Sequence, residues 1–213
     1  VKELGHFALA ITLAGTYVAA TPRLRGDLMQ YLPEYQQRRK TLLAQRPGQV
    51  INQYGESVLT TWETTYRTIK GRSLDACKFF TLLSFLNHDD IPASFPTEPV
   101  DGELPIWIGV LFSEKRIDAY DIEGFFRVLA SFSLAKYQED QSSYSMHNLV
   151  QAWAYDRLEN SQQQDYGVVA ARLLLAMTDN PKETFPVMMR RRFLPHVVNA
   201  CQRIIDCFNS VSV

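Results

Sequence analysis

From position 74 to 86 the chain carries Leu74, Cys77, Phe79, Phe80, Leu82, Leu83, Phe85 and Leu86, which on a helix occupy most of the circumference. A helix that is apolar all round has no face to give to water and belongs in the middle of a core. Any fold of this chain must therefore place other elements on several sides of that segment. Ser73 stands where an N-cap is needed, and Asn87-His88-Asp89-Asp90-Ile91-Pro92 turns the chain at the far end.

The flanking sequence reads mostly as amphipathic helix. Leu4, Phe7, Ala8, Ile11, Gly15 and Val18 fall at helical spacing up to a stop near Thr21-Pro22. Leu28, Leu32, Tyr35, Arg39 and Leu42 form a second side, in which Pro33 kinks the helix or starts a new one. The Arg38-Arg39-Lys40 cluster is an exposed face, and Arg46-Pro47-Gly48 marks a loop. Val58, Leu59, Trp62, Tyr66 and Ile69 make a third stripe, ended by Gly71.

Beyond Pro92 an irregular, Pro- and acid-rich connection leads to a short apolar segment, Ile106 to Phe112. Asp121 is placed to cap a helix carrying Ile122, Phe125, Phe126 and Leu129. Two short segments, 133–137 and 144–147, flank a polar turn and read as a β-hairpin. A helix with Leu149, Val150, Trp153, Ala154 and Leu158 follows. After a Gln162-Gln163-Gln164 loop, Val168, Ala171, Leu174 and Leu175 define another. The region from Phe185 to Phe208 adds one or two more, with Leu194, Val197, Val198, Cys201, Ile204, Ile205 and Phe208 as its apolar side.

Three helices and then a hairpin is the order of a winged helix. The expected fold class is therefore mainly α: a helical bundle over 1–72, a winged helix with a small β-hairpin over 73–160, and over 161–213 a helical linker and the start of a repeat scaffold.

Charge narrows the function. Lys and Arg total 22 against 23 Asp and Glu, so there is no broad basic field of the kind that non-specific nucleic-acid binding requires. A DNA-reading winged helix would present Asp121, Glu123, Gly124 and Arg127, and acidic groups at a recognition helix's N-terminus repel phosphate. Three cysteines, Cys77, Cys201 and Cys207, make no disulfide framework and read as reduced, largely buried thiols. The apolar run from Phe7 to Ala20 is too short to span a bilayer and there is no signal peptide, so the expectation is a cytoplasmic protein with no membrane partner. Val1, in place of an initiator methionine, suggests an excised piece.

The catalytic motifs are missing. The sequence contains no Walker A pattern, no G-x-G-x-x-G, no H-E-x-x-H and no G-x-S-x-G. His6, His88, His147 and His196 are dispersed and have no partners at metal-ligand spacing. Catalytic and metal-binding residues are thus expected to be absent, and the chain is not expected to be an enzyme by itself. His147, at the junction of hairpin and helix, has two readings: a capping or packing histidine, or a sensor whose imidazole donates to a phosphate oxygen.

Several segments carry a family resemblance. Leu4-Gly5-His6-Phe7-Ala8-Leu9-Ala10 resembles the Gly-Leu-Pro-Leu-Ala motif of the NB-ARC nucleotide-switch ATPases, within the STAND class. Leu82 to Pro92 looks like the winged-helix segment of the fungal, NLR-like members. Tyr144 to Ala154 resembles their Met-His-Asp motif and the helix after it. Leu194-Pro195-His196-Val197 is similar to the entry into their tetratricopeptide-type repeats.

The resemblance implies a regulatory fragment of a signalling switch, in which ADP in the full-length parent is sensed by His147 and the adenine pocket is shaped by Phe7, Ala8 and Leu9. Ala8 stands where the family has proline, and Asn148 where it has aspartate. The implied partners are an upstream P-loop domain, downstream repeats and further copies in a homo-oligomer formed on exchange of ADP for ATP. The isolated chain would hold no nucleotide tightly. Two alternatives stand beside this: a non-catalytic helical interaction scaffold, with His147 buried and hydrogen-bonded inside the chain, and a DNA-binding winged helix, with a continuous basic face around 121–129.

Overall fold

The computed structural model describes residues 58–93, 118–139, 142–178 and 187–209, together with isolated positions between 11 and 33. The chain divides into two compact units, Val1–Thr68 and Ile69–Val213. In the first, Ile11, Ala14, Gly15 and Val18 lie on helical backbone, as their spacing predicts, and Leu28–Gln30 forms a 3-10 turn. Phe7, Ala8 and Leu9, the 38–40 cluster and the 106–112 segment lie outside the described residues.

Helix α1 (Val58–Arg72) crosses the boundary between the units. It runs one residue past Gly71, and the Ser73 amide closes its last turn on the Ile69 carbonyl at 2.8 Å. Ser73 then caps α2 (Leu74–Leu83), its hydroxyl accepting from the Ala76 amide at 3.1 Å. Every residue of α2 from Ala76 to Leu83 except Lys78 is buried, as a helix apolar all round demands. The helix ends before Leu86, because the amides of Ser84, Phe85 and Leu86 turn back in tight bonds, each 3.1 Å, to the carbonyls of Thr81, Leu82 and Leu83. Phe85 and Leu86 nevertheless stay buried.

Helix α3 (Ala119–Ser131) packs on α2 through Ile122, Phe126 and Leu129, with Phe79 and Phe126 edge to face at 5.0 Å. Its cap is Asp118, which accepts from the Tyr120 amide at 2.7 Å, and not Asp121. Asp121 lies inside the first turn, where its charge complements the helix dipole instead.

The expected hairpin is present as β2 (Lys136–Gln138) and β3 (Ser143–Ser145), antiparallel with Tyr137 opposite Tyr144. The segment read as a plain turn supplies a third strand, β1 (Ile91–Pro92), so the sheet order is β1-β3-β2. Pro92 sits on the sheet edge, where a missing donor does no harm. The result is a mainly helical fold with one small antiparallel sheet, and the Tyr144 ring stacks on Phe126 at 3.8 Å to bind sheet to helix.

Helix α4 (Asn148–Asp156) lies against α2 and is followed by α5 (Asn160–Thr178) and α6 (Val187–Asn209). Gln162, Gln163 and Gln164 belong to α5 rather than to a loop, and the Gln162 side chain accepts from the Glu159 amide at 3.1 Å. The second and third helices of this group run antiparallel: the Cys207 thiol near the end of α6 reaches the Asn160 carbonyl at the start of α5, at 3.6 Å. A side chain on Gly167 would bring its first carbon within 3.1 Å of Ile204, so glycine is what lets these two helices meet closely. Pro195 lies inside α6, which is a single helix.

Two expected core faces are shifted: Leu174 is buried as expected, while Ala171, Val197 and Ile204 are half-buried and the other described members of each set are exposed. In α5, Tyr166, Val169, Ala170, Leu173 and Leu174 are buried, while Val168 and Leu175 are exposed. In α6, Phe193, His196, Ala200 and Cys207 are buried, while Leu194, Val198 and Ile205 are 61%, 60% and 52% exposed. Cys201 is exposed too, unlike Cys77 and Cys207; all three are free thiols. No helix among the described residues is long and apolar enough to cross a membrane.

Candidate functional site

A helix leaves its last carbonyls without intrahelical donors. Because α2 ends inside the core, those carbonyls cannot turn to water, and an unpaired one costs about 1–3 kcal/mol. The amides of Ser84, Phe85 and Leu86 close on the last carbonyls of α2, and side chains from two other helices supply donors to the buried carbonyls that follow, those of Phe85 and Leu86. Gln151 of α4, buried, gives its amide to the carbonyls of Leu83, at 3.4 Å, and Leu86. Asn199 of α6 gives its amide to Phe85 at 2.9 Å and to Leu86 at 2.6 Å.

The same face of α6 continues the grip along the chain. Arg192, His196 and Asn199 are spaced four and three apart, which places them on one side of the helix. His196 Nδ1 accepts from the Asn87 amide at 3.1 Å, so the neutral ring carries its proton on Nε2, which donates to the Asp90 carbonyl at 3.0 Å. Arg192 holds the Asp90 carboxylate through two nitrogens, Nε at 2.8 Å and Nη2. Asp90 sits at φ 53°, a left-handed conformation that aspartate tolerates better than most residues. From the opposite side, the Met146 amide donates to the His88 carbonyl at 2.8 Å. The segment from Leu83 to Asp90 is thus a hub, held by α4, by the end of β3 and by α6.

Charge follows this geometry. The guanidinium of Arg192 holds the Asp90 carboxyl below its ordinary value, and Asp90 raises Arg192 in return. Burial pushes the His196 imidazole down, against the pull of the Asp90 carbonyl and carboxylate. Close by, Tyr155 stacks edge-on to Phe85 at 5.2 Å, donates to the Arg203 carbonyl at 3.0 Å and lies under the Arg203 guanidinium at 4.1 Å. Burial raises its phenol to about 12.

His147 is the N-cap of α4: its Nδ1 accepts from the Leu149 amide at 3.2 Å, and the ring is half-buried. Met146 before it is buried, and the side-chain oxygen of Asn148 after it is buried with no hydrogen-bond partner. The hydrogen bond within the chain agrees with the scaffold alternative, whereas the full burial it expects is not found. The basic face required by DNA recognition is not found on α3, whose one basic residue, Arg127, is paired with Glu123 at 3.1 Å. Among the described residues no group of three or more His, Cys, Asp or Glu is placed to hold a metal ion.

The hub does not stand out in the sequence pattern. Its signal was present: polar Arg192, His196 and Asn199 at helical spacing within an apolar helix, and Gln151 amid Leu149, Val150, Ala152 and Trp153. Two segments singled out separately, 82–92 and 194–197, meet here through His196.

A second feature lies on the α5–α6 pair. Val168 and Leu175 are seven residues apart on α5; Leu194, Val198, Cys201 and Ile205 follow a four-three-four spacing on α6, and all six are exposed. Helical geometry puts these stripes on the side of the pair turned away from the hub. Between the helices runs a groove of about 290 Å³, with Gly167, Val168, Ala171 and Ile204 in its walls. No family model matches the chain, and no curated protein and no solved structure matches it.

Proposed function

We propose that this chain is a non-catalytic helical interaction scaffold. The unit formed by α2, α3, the sheet and α4 is of winged-helix type, and α5–α6 is a repeat-type hairpin that packs a further helical layer on its outer side. One observation carries the reading: the pair is apolar on two opposite sides. One side, with Tyr166, Val169, Leu173, Phe193 and Ala200, is buried, while the other leaves Val168, Leu175, Leu194, Val198 and Ile205 in solvent. Stripes of exposed apolar side chains at helical spacing suit an interaction surface, and helix pairs apolar on both sides are the unit from which stacked helical arrays are built. The four-three-four spacing on α6 suits another helix as occupant.

Sedimentation of the purified chain over a range of concentrations tests this, with a second copy standing in for the next layer. The reading predicts weak, concentration-dependent association that Val198→Glu abolishes while helicity by circular dichroism is kept. A chain that stays monomeric throughout and binds no apolar dye contradicts it.

A second reading, nucleotide-state sensing in the full-length parent, is favoured by one detail. The cap fixes the His147 proton on Nε2, a donor of the kind a phosphate oxygen accepts. His147→Ala in the parent would then lower ADP retention, and unchanged ADP release would dispose of the idea.

A further inference from the structure

The hub ties α6 to the start of α4 through a single short segment. On one side Arg192 and His196 hold Asn87 and Asp90; on the other the His88 carbonyl receives the Met146 amide, one residue before the His147 cap. Asp90 leads directly into β1, where Ile91 pairs with Tyr144 and Pro92 with Ser143 on the strand that ends at Ser145. Displacement of residues 87–90 would therefore pull on both the sheet and the cap of α4.

The His196 imidazole is the fully buried member of this linkage whose hydrogen-bonding role reverses in mild acid. Neutral, it accepts at Nδ1 and donates at Nε2; protonated, it donates at both nitrogens. A proton on Nδ1 would then point at the Asn87 N–H, donor against donor, at a ring that is 1% exposed. We infer that His196 is an acid-released latch, which in its neutral form fastens α6 to the 87–90 segment and on protonation lets that segment and the Met146–His147 junction loosen together.

The charged groups facing the ring are the carboxylates of Asp89 and Asp90 on the turn and the guanidinium of Arg192 on its own helix. The carboxylates favour the proton and Arg192 opposes it, but Arg192 and Asp90 largely neutralise one another as a pair. Burial is left as the deciding influence, and it disfavours the charged ring. When the ring does take a proton, the Asn87 N–H still faces Nδ1 at 3.1 Å, so relief comes from movement of the two groups apart. The latch does not depend on what covers the outer side of α5–α6.

The test is amide hydrogen exchange of the whole chain, read at Asn87 and Met146 and corrected for intrinsic rates, between about pH 7.5 and about pH 5, a range that brackets histidine titration. Protection at both amides is expected to fall together by about tenfold or more in acid, while amides in the middle of α3 keep theirs. His196→Gln, which keeps a donor and an acceptor without titrating, is expected to abolish the pH response, and His147→Gln to retain it. If His196→Gln does not fold, the ring nitrogens of the unaltered chain, followed by NMR, decide: an Nε2–H tautomer whose titration midpoint coincides with the loss of protection supports the latch. An Nδ1–H tautomer, protection at Asn87 and Met146 that does not change with pH, or a response that survives in His196→Gln overturns it.

Discussion

Asn199→Ala isolates the part of the hub that is easiest to weigh. In the folded chain the Asn199 amide donates to two carbonyls, those of Phe85 and Leu86, at 2.9 and 2.6 Å. The two losses are unequal. Leu86 keeps a donor, because Gln151 also reaches its carbonyl, whereas Phe85 loses the donor that Asn199 supplied in a residue with no solvent exposure. A buried carbonyl left unpaired costs about 1–3 kcal/mol, and the second, partly compensated bond about 0.5–1.5 kcal/mol. The variant should thus be less stable by about 1.5–4.5 kcal/mol, well above the ±0.5 kcal/mol or so typical of surface substitutions.

Urea unfolding followed by circular dichroism measures this, as a lower midpoint with an unchanged slope. Val198→Ala, one residue away on the exposed side, is the control and should move the midpoint little. Combining Asn199→Ala with Gln151→Ala should cost more than the sum of the two, by about 1 kcal/mol, because only then does Leu86 lose both donors. A change below about 0.5 kcal/mol for Asn199→Ala, or strict additivity in the pair, would refute the view that these amides cap the end of α2.

Asp90 is held below its ordinary carboxylate value, so its pairing with Arg192 adds stability that is complete above about pH 4 and lost as pH falls through the lower folded value. Asp90→Asn, which keeps a residue tolerant of the left-handed backbone, should cost about 1 kcal/mol at neutral pH, with the gap to the unaltered chain closing in acid; urea titrations at several pH values check it. Gly167→Val would force Ile204 and Phe85 aside and should lower stability by about 1–3 kcal/mol, seen as a lower thermal midpoint. His147→Ala removes the cap of α4 and should cost about 0.5–2 kcal/mol, measurable in the same unfolding experiment.

Features that depend on neighbours in sequence were legible. Ser73 is the cap it looks like, because a serine before an apolar run can satisfy an amide three residues on without help from elsewhere. The hairpin was readable from two short segments around a polar turn. Features set by distant partners were not. Strand β1 has two residues and exists only because β3 offers an edge. Asp118 and Asp121 both precede the same apolar run, and the point where the backbone turns into α3 chose between them.

The face that α6 buries is hidden in its sequence for a deeper reason. A helix with two apolar stripes shows one dominant hydrophobic periodicity, and the wider stripe, with Leu194, Val198 and Ile205, is the one exposed. The buried side looks more polar because His196 and Asn199 are spent on the carbonyls and amides of residues 85–90. His196 looked isolated because its partners lie more than a hundred residues away. The same distance hid Gln151, which resembles a stray polar residue until the end of α2 is placed beside it.

The outer side of α5–α6 is where the scaffold reading stands or falls, and Cys201 reports on it directly, since it is the exposed thiol on that stripe while Cys77 and Cys207 are buried. The decisive measurement is the rate of Cys201 labelling by a thiol reagent as chain concentration rises, with the Val198→Glu variant alongside. The reading predicts fast labelling of Cys201 alone in dilute solution, progressive protection as the apolar sides meet, and no protection in the variant. A labelling rate independent of concentration, or equal protection in the variant, would contradict it.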